Sequence, residues 1–147
     1  MNPLALYGIL ILIVVLVFAK SAYGGTLVTS DKVKAFAKAI SVAEGFGIAN
    51  DIPTKAHNPG DLVLGDRGNG VLGREGITIF PDNASGWNAL YHELNLIVNS
   101  ESHVYTLDMT ISDMAYKWTD TSQDAWAETV ANQLGVTRDT PLSQILV

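Results

Sequence analysis

Residues 43–46 read Ala43-Glu44-Gly45-Phe46, and the rest of the chain is organised around them. Val33, Phe36, Ala37 and Ile40 precede them at i, i+3, i+4, i+7, the spacing of one buried helix face. The spacing predicts a helix over about Ser30 to Glu44. Thr29 or Ser30 caps its start, and Asp31 is favourable in its first turn. Glu44 lies four residues past Ile40 and eleven past Val33, so at about 100° per residue it falls nearly in line with Val33. The carboxyl therefore lies along the apolar stripe. It also sits in the last turn, where the helix dipole disfavours negative charge. Gly45 then ends the helix. Burial and dipole both penalise the anion and push the pKa upward. A carboxyl kept protonated near neutral pH is what a glycosidase general acid requires. The plainer alternative is a glutamate at a helix end that bends out to water.

Upstream, Pro3 to Ala19 carries no charge and is almost wholly apolar. At about 1.5 Å per residue it comes close to the ~30 Å of a bilayer core, and Ser21 to Tyr23, with Lys20 snorkelling, complete a span. A soluble core helix is not apolar on every face. The expectation is an uncleaved single-span anchor over residues 1–23. The rival is a cleaved secretory signal with Ala19-Lys20-Ser21 at the cut, but its n-region would lack any Lys or Arg. Gly24-Gly25-Thr26 opens a short linker over 24–29, and residues 30–147 form one domain.

Downstream, residues 47–81 are rich in Gly and Pro, with short strand candidates at Leu62 to Leu64 and Ile77 to Phe80. This reads as a small irregular β-hairpin region. Gly65 to Gly70 matches neither phosphate-loop pattern and is a hairpin tip. Helices resume after Pro81. Asp82, Asn83 or Ser85 caps one to about Val98, the expected central packing helix, with Trp87, Leu90, Tyr91, Leu94, Ile97 and Val98 on its apolar face. Thr110 opens another through Trp118, with Asp113 echoing a capping box. Ser122 opens a third, with Trp126, Ala127, Val130, Ala131 and Leu134 inward and Gly135 at its end. Thr140-Pro141 starts a last helical turn with Pro at its first position.

Several chemistries are excluded. The net charge of −6 argues against a nucleic-acid partner, which would need a basic patch. There is no cysteine, hence no disulfide framework and no thiolate chemistry. His92-Glu93 is not a zinc-protease helix, because position 96 is Leu96. His57, His92 and His103 have no ligand-like spacing, so no metal or other cofactor is expected. No G-x-S-x-G elbow occurs.

An ordered set of short motifs remains: Glu44-Gly45 at a helix end, Asn58-Pro59-Gly60, a strand ending in Phe80, and Gly86-Trp87-Asn88-Ala89-Leu90. Met109-Thr110, Gly135-Val136 and Thr140-Pro141-Leu142 follow. From about Lys34 to Leu146 this resembles the small peptidoglycan-degrading, transglycosylase-like domains of phage virion proteins, within the lysozyme-like superfamily. The resemblance implies an α+β, mainly α fold with a small hairpin region, and Glu44 as the catalytic acid. It implies substrate contacts from His57, Asn58, Gly60, Phe80, Tyr91 and Tyr105, and peptidoglycan glycan strands as substrate. The expected setting is a virion membrane or bacterial envelope, with the domain on the wall-facing side and other virion or envelope proteins as further partners. His57 and Asp61 stand where such domains carry asparagines flanking the turn. The two-carboxylate spacing of phage muramidases is absent, since Pro53 lies nine residues past Glu44. The expectation is therefore a single-acid transglycosylase-like enzyme. A hydrolytic version would need a second carboxylate, with Asp61, Asp66 and Glu75 as candidates. The competing expectation is an inactive structural or peptidoglycan-binding protein on the same fold.

Overall fold

The computed structural model describes residues 29–64, 68, 70–72 and 76–147. The expected anchor, most of the hairpin tip, Asp66 and Glu75 lie outside the described residues. The described chain is mainly helical with one two-stranded sheet, the expected α+β, mainly α class.

Helix α1 (Asp31–Ala43) begins at Ser30, whose extended backbone lets its hydroxyl accept from Val33 N. Val33, Phe36, Ala37 and Ile40 are all buried, as their spacing predicts, and so are Ala39 and Ser41. The buried surface is wider than one stripe because α1 packs against three other helices, α3, α5 and α6. Thus α1, and not the expected helix after Pro81, is the centre of the domain. Helix α2 (Ile52–Lys55) is a single short turn that the Gly/Pro-rich composition conceals. Helix α3 (Asn83–Val98) is capped by Asp82, whose side chain accepts from Ser85 N. It buries Gly86, Ala89, Leu90, Leu94 and Ile97, while Trp87 and Tyr91 stay at the core's margin.

Helix α4 (Ile111–Trp118) opens with a complete capping box. Thr110 Oγ1 accepts from Asp113 N, and the Asp113 carboxylate accepts from Thr110 N. Helix α5 (Gln123–Leu134) follows Ser122, which makes no capping bond. Capping needs extended backbone, and Ser122 stands at φ 55°. Gly135 ends α5 at φ 68°, as expected. Pro141 is the residue before α6 (Leu142–Leu146), one position earlier than predicted. That tail is tied to the start of α4: Leu142 N donates to Met109 O at 2.8 Å, and Ser143 N to Leu107 O at 2.8 Å. The Met-Thr and Thr-Pro-Leu motifs are therefore two sides of one joint.

The hairpin differs from expectation. Strands β1 (Val71–Leu72) and β2 (Ile77–Thr78) pair antiparallel, Val71 opposite Thr78 and Leu72 opposite Ile77. Leu62 to Leu64 is not a strand, and Phe80 lies beyond β2. The physical reason is that side chains take over most of the ladder, leaving Thr78 N to donate to Leu62 O at 2.9 Å. Asn58 Nδ2 donates to Leu62 O and Thr78 O, both at 2.9 Å, and Asn58 Oδ1 accepts from Leu62 N. Thr78 Oγ1 accepts from Leu64 N at 2.8 Å. Phe80 N turns away to Ala56 O at the end of α2. Gly86, in the first turn of α3, meets this turn at its base. A Cβ there would lie 1.8 Å from the carbonyl oxygen of His57.

Candidate active site

The end of α1 presents Glu44. Gly45 N donates to Val42 O and Phe46 N to Ser41 O, with Gly45 at φ 77°, the double closure of a Schellman motif. Only a residue at ease with positive φ permits it, and Gly45 supplies that. The closure stops the helix with Glu44 half-buried at the boundary of two cavities. The larger, about 520 Å³, is lined by Gly60, Asp61 and Leu62 on the turn side, and by Glu93, Tyr105, Trp118 and Thr119 on the helical side. The smaller, about 230 Å³, is lined by Ala43, Thr119, Thr121, Ser122, Ala125, Trp126 and Thr129. Glu44 borders both.

The carboxyl is held. Trp126 Nε1 donates to Glu44 Oε1 at 2.7 Å. The Trp118 ring packs 6.2 Å from that of Trp126, and the Tyr105 ring 5.7 Å from that of Trp118. Burial pushes the Glu44 pKa from the ordinary 4.5 up to about 7. The Trp126 hydrogen bond pulls against this, the charge of Asp61 adds to it, and the Trp118 indole opposes it weakly. Such a group gives up and takes back a proton near neutral pH. Tyr105 is likewise pushed up to about 12, by burial and then by the charge of Glu93, so it remains a neutral donor.

Glu44, Gly60, Asp61 and Tyr105 come together at the larger cavity. The others do not. Asn58 is fully buried, and both its donor and its acceptor serve the turn, so it stands behind the cavity wall rather than facing substrate. Phe80 is 6% exposed and belongs to the core. His57 Nδ1 shares a 2.8 Å hydrogen bond with Asn83 Oδ1 and lines neither cavity. Tyr91 stacks on Trp87, with Phe46 edge-on to that indole, also away from both cavities. Both His57 and Asp61 have positive φ, 52° and 51°. His, Asp and Asn are the non-glycine residues that tolerate this conformation best, so the departures from the asparagine pattern keep the turn.

Sequence reasoning missed Trp118, Trp126, Glu93 and the 119–121 loop. Trp126 was legible only as an inward-facing residue. A buried indole N–H needs an acceptor, which is the one local signal that a polar group lies opposite. Among the described residues no three His, Asp or Glu side chains group as metal ligands. Comparison with protein-family models, with curated proteins and with solved structures finds no significant match.

Proposed function

We propose that this chain cleaves peptidoglycan glycan strands, with Glu44 acting first as general acid and then as general base. The observation that carries the reading is Glu44 itself, a helix-end carboxyl with pKa near 7, between two cavities and fixed by an indole. In the proposed reaction Glu44 protonates the glycosidic oxygen as the bond to the anomeric carbon of muramic acid breaks. The carboxylate then accepts the proton of the same sugar's 6-hydroxyl while that oxygen bonds to the anomeric carbon. The product is a 1,6-anhydromuramic end, and Glu44 recovers its proton. Tyr105 and Trp118 supply ring faces for the sugars, and Gly60 gives close backbone approach.

Asp61 lines the same cavity and favours a second reading, hydrolysis with a water activated by a second carboxylate. The lysozyme-like resemblance and the apolar segment at residues 1–23 support a wall-facing, membrane-anchored enzyme of a cell envelope or virion membrane. Mass spectrometry of digested sacculi tests the proposal. Anhydro ends, lighter by one water, are expected; reducing ends would give hydrolysis. Folded protein that binds sacculi and leaves them intact would make it a binding protein.

A further inference from the structure

Packing explains why Trp126 is 5% exposed, but not where its N–H points. An indole N–H is a donor only, and any nearby backbone carbonyl would satisfy it. Here it instead crosses from α5 to Glu44, 82 positions earlier in the chain. The acceptor lies just beyond the last residue of α1, where a glutamate side chain gains most by sweeping through its rotamers. Tyr105, Trp118 and Trp126 run as consecutive ring contacts behind it. The first two line the larger cavity and the third lines the smaller.

We propose that Trp126 is a positioning residue for Glu44: its N–H pins the carboxyl in one orientation at the partition between the two cavities. The inference rests on the reading of Glu44 as the reacting group. The bond serves both protonation forms, and it is stronger to the anion, because hydrogen bonds to charged groups are shorter and stronger. The carboxylate left after proton delivery therefore stays in place to act as base. Backed by Trp118, the ring cannot retreat without disturbing the cavity wall.

Trp126→Phe keeps a ring and deletes the donor. Titration of the Glu44 side-chain carbon by NMR, on the full chain, reads the effect without any turnover. Asp61, Glu93, Lys117 and Asp120 face the same cavity and are present in both proteins. Glu44 in the variant is expected to titrate at a pH higher by about one. The alkaline limb of sacculus digestion should move the same way, with kcat about 10–100-fold lower, KM unmoved and melting little changed. Glu44 titrating as in the wild type would overturn the proposal. Should Trp126→Phe not fold, the wild-type protein decides. The Trp126 indole N–H resonance should move as pH crosses about 7 and lose that movement in Glu44→Gln. A resonance indifferent to Glu44 would overturn it. A titration shift in a protein that leaves sacculi intact would uphold the positioning and sink the glycosidase reading.

Discussion

Asn58 and Glu44 are both polar side chains drawn out of water, and the fold treats them in opposite ways. Asn58 is enclosed, with its amide engaged on both sides by Leu62 and Thr78, so nothing remains for a ligand. Glu44 has one oxygen fixed by Trp126 and open space on two sides. A satisfied buried group specifies structure, whereas a half-satisfied one at a cavity holds free energy available for chemistry. The turn and the helix end, both named as functional when read as letters, separate into scaffold and candidate site.

The contrast can be broken most severely at the turn. Asn58→Ala leaves Leu62 N and Thr78 O short of a partner inside the protein, while Leu62 O keeps the bond it accepts from Thr78 N. At about 1–3 kcal/mol for each orphaned buried group, the loss is expected to reach about 2–6 kcal/mol, a large share of a small domain's stability. Urea titration reads it directly. An unchanged midpoint with reduced turnover would restore Asn58 to the substrate-binding set.

The complementary change is Glu44→Gln, expected to lower turnover by about 10²–10⁴-fold while leaving the melting temperature level or higher. Both values come from the same purified protein, by sacculus digestion and calorimetry. Undiminished activity would move the acid elsewhere, to Glu75 first.

Stability against pH sharpens the comparison further. Folded Glu44 holds its proton to about pH 7, whereas the unfolded group loses it near 4.5. Over that window the folded state binds more protons, so this contribution is full below the lower value and is lost as pH rises through the higher. Melting temperature should fall across the window, and the Glu44 part of that fall should vanish in Glu44→Gln. Identical pH profiles for the two proteins would mean that Glu44 is solvated.

The smallest effect is expected from Asp61→Asn. Asparagine suits φ 51° at least as well as aspartate, so stability should change by less than about 0.5 kcal/mol. Removing the charge should bring the Glu44 pKa down, moving the alkaline limb of activity to lower pH. Loss of turnover with a switch away from reducing-end products would instead make Asp61 the base of a hydrolase.

Local signals explain what could be read from sequence. The apolar spacing of α1, the Gly45 and Gly135 terminations and the Thr110–Asp113 cap each depend on residues within one or two turns. Whatever depends on distant partners was not legible. Leu62 to Leu64 reads as a strand, yet apart from the bond Leu62 O accepts from Thr78 N its hydrogen bonds go to the side chains of Asn58 and Thr78. Asn58 reads as a turn former facing substrate, because burial from every side is a tertiary property. Helix α2 is too short to show a period. Trp126 joins the site through a contact that no local pattern encodes.

The approach of Gly86 to His57 bears on how this chain can change over generations. A side chain at Gly86 would land on backbone, which has no alternative rotamer to swing into. The turn and the start of α3 are thus a single heritable object, although the hairpin separates them in the sequence. Drift at Gly86 is blocked unless the backbone of the turn shifts in the same step. Diversification of this cavity is therefore channelled into the 119–121 loop, which lines it, while the joint beneath stays fixed.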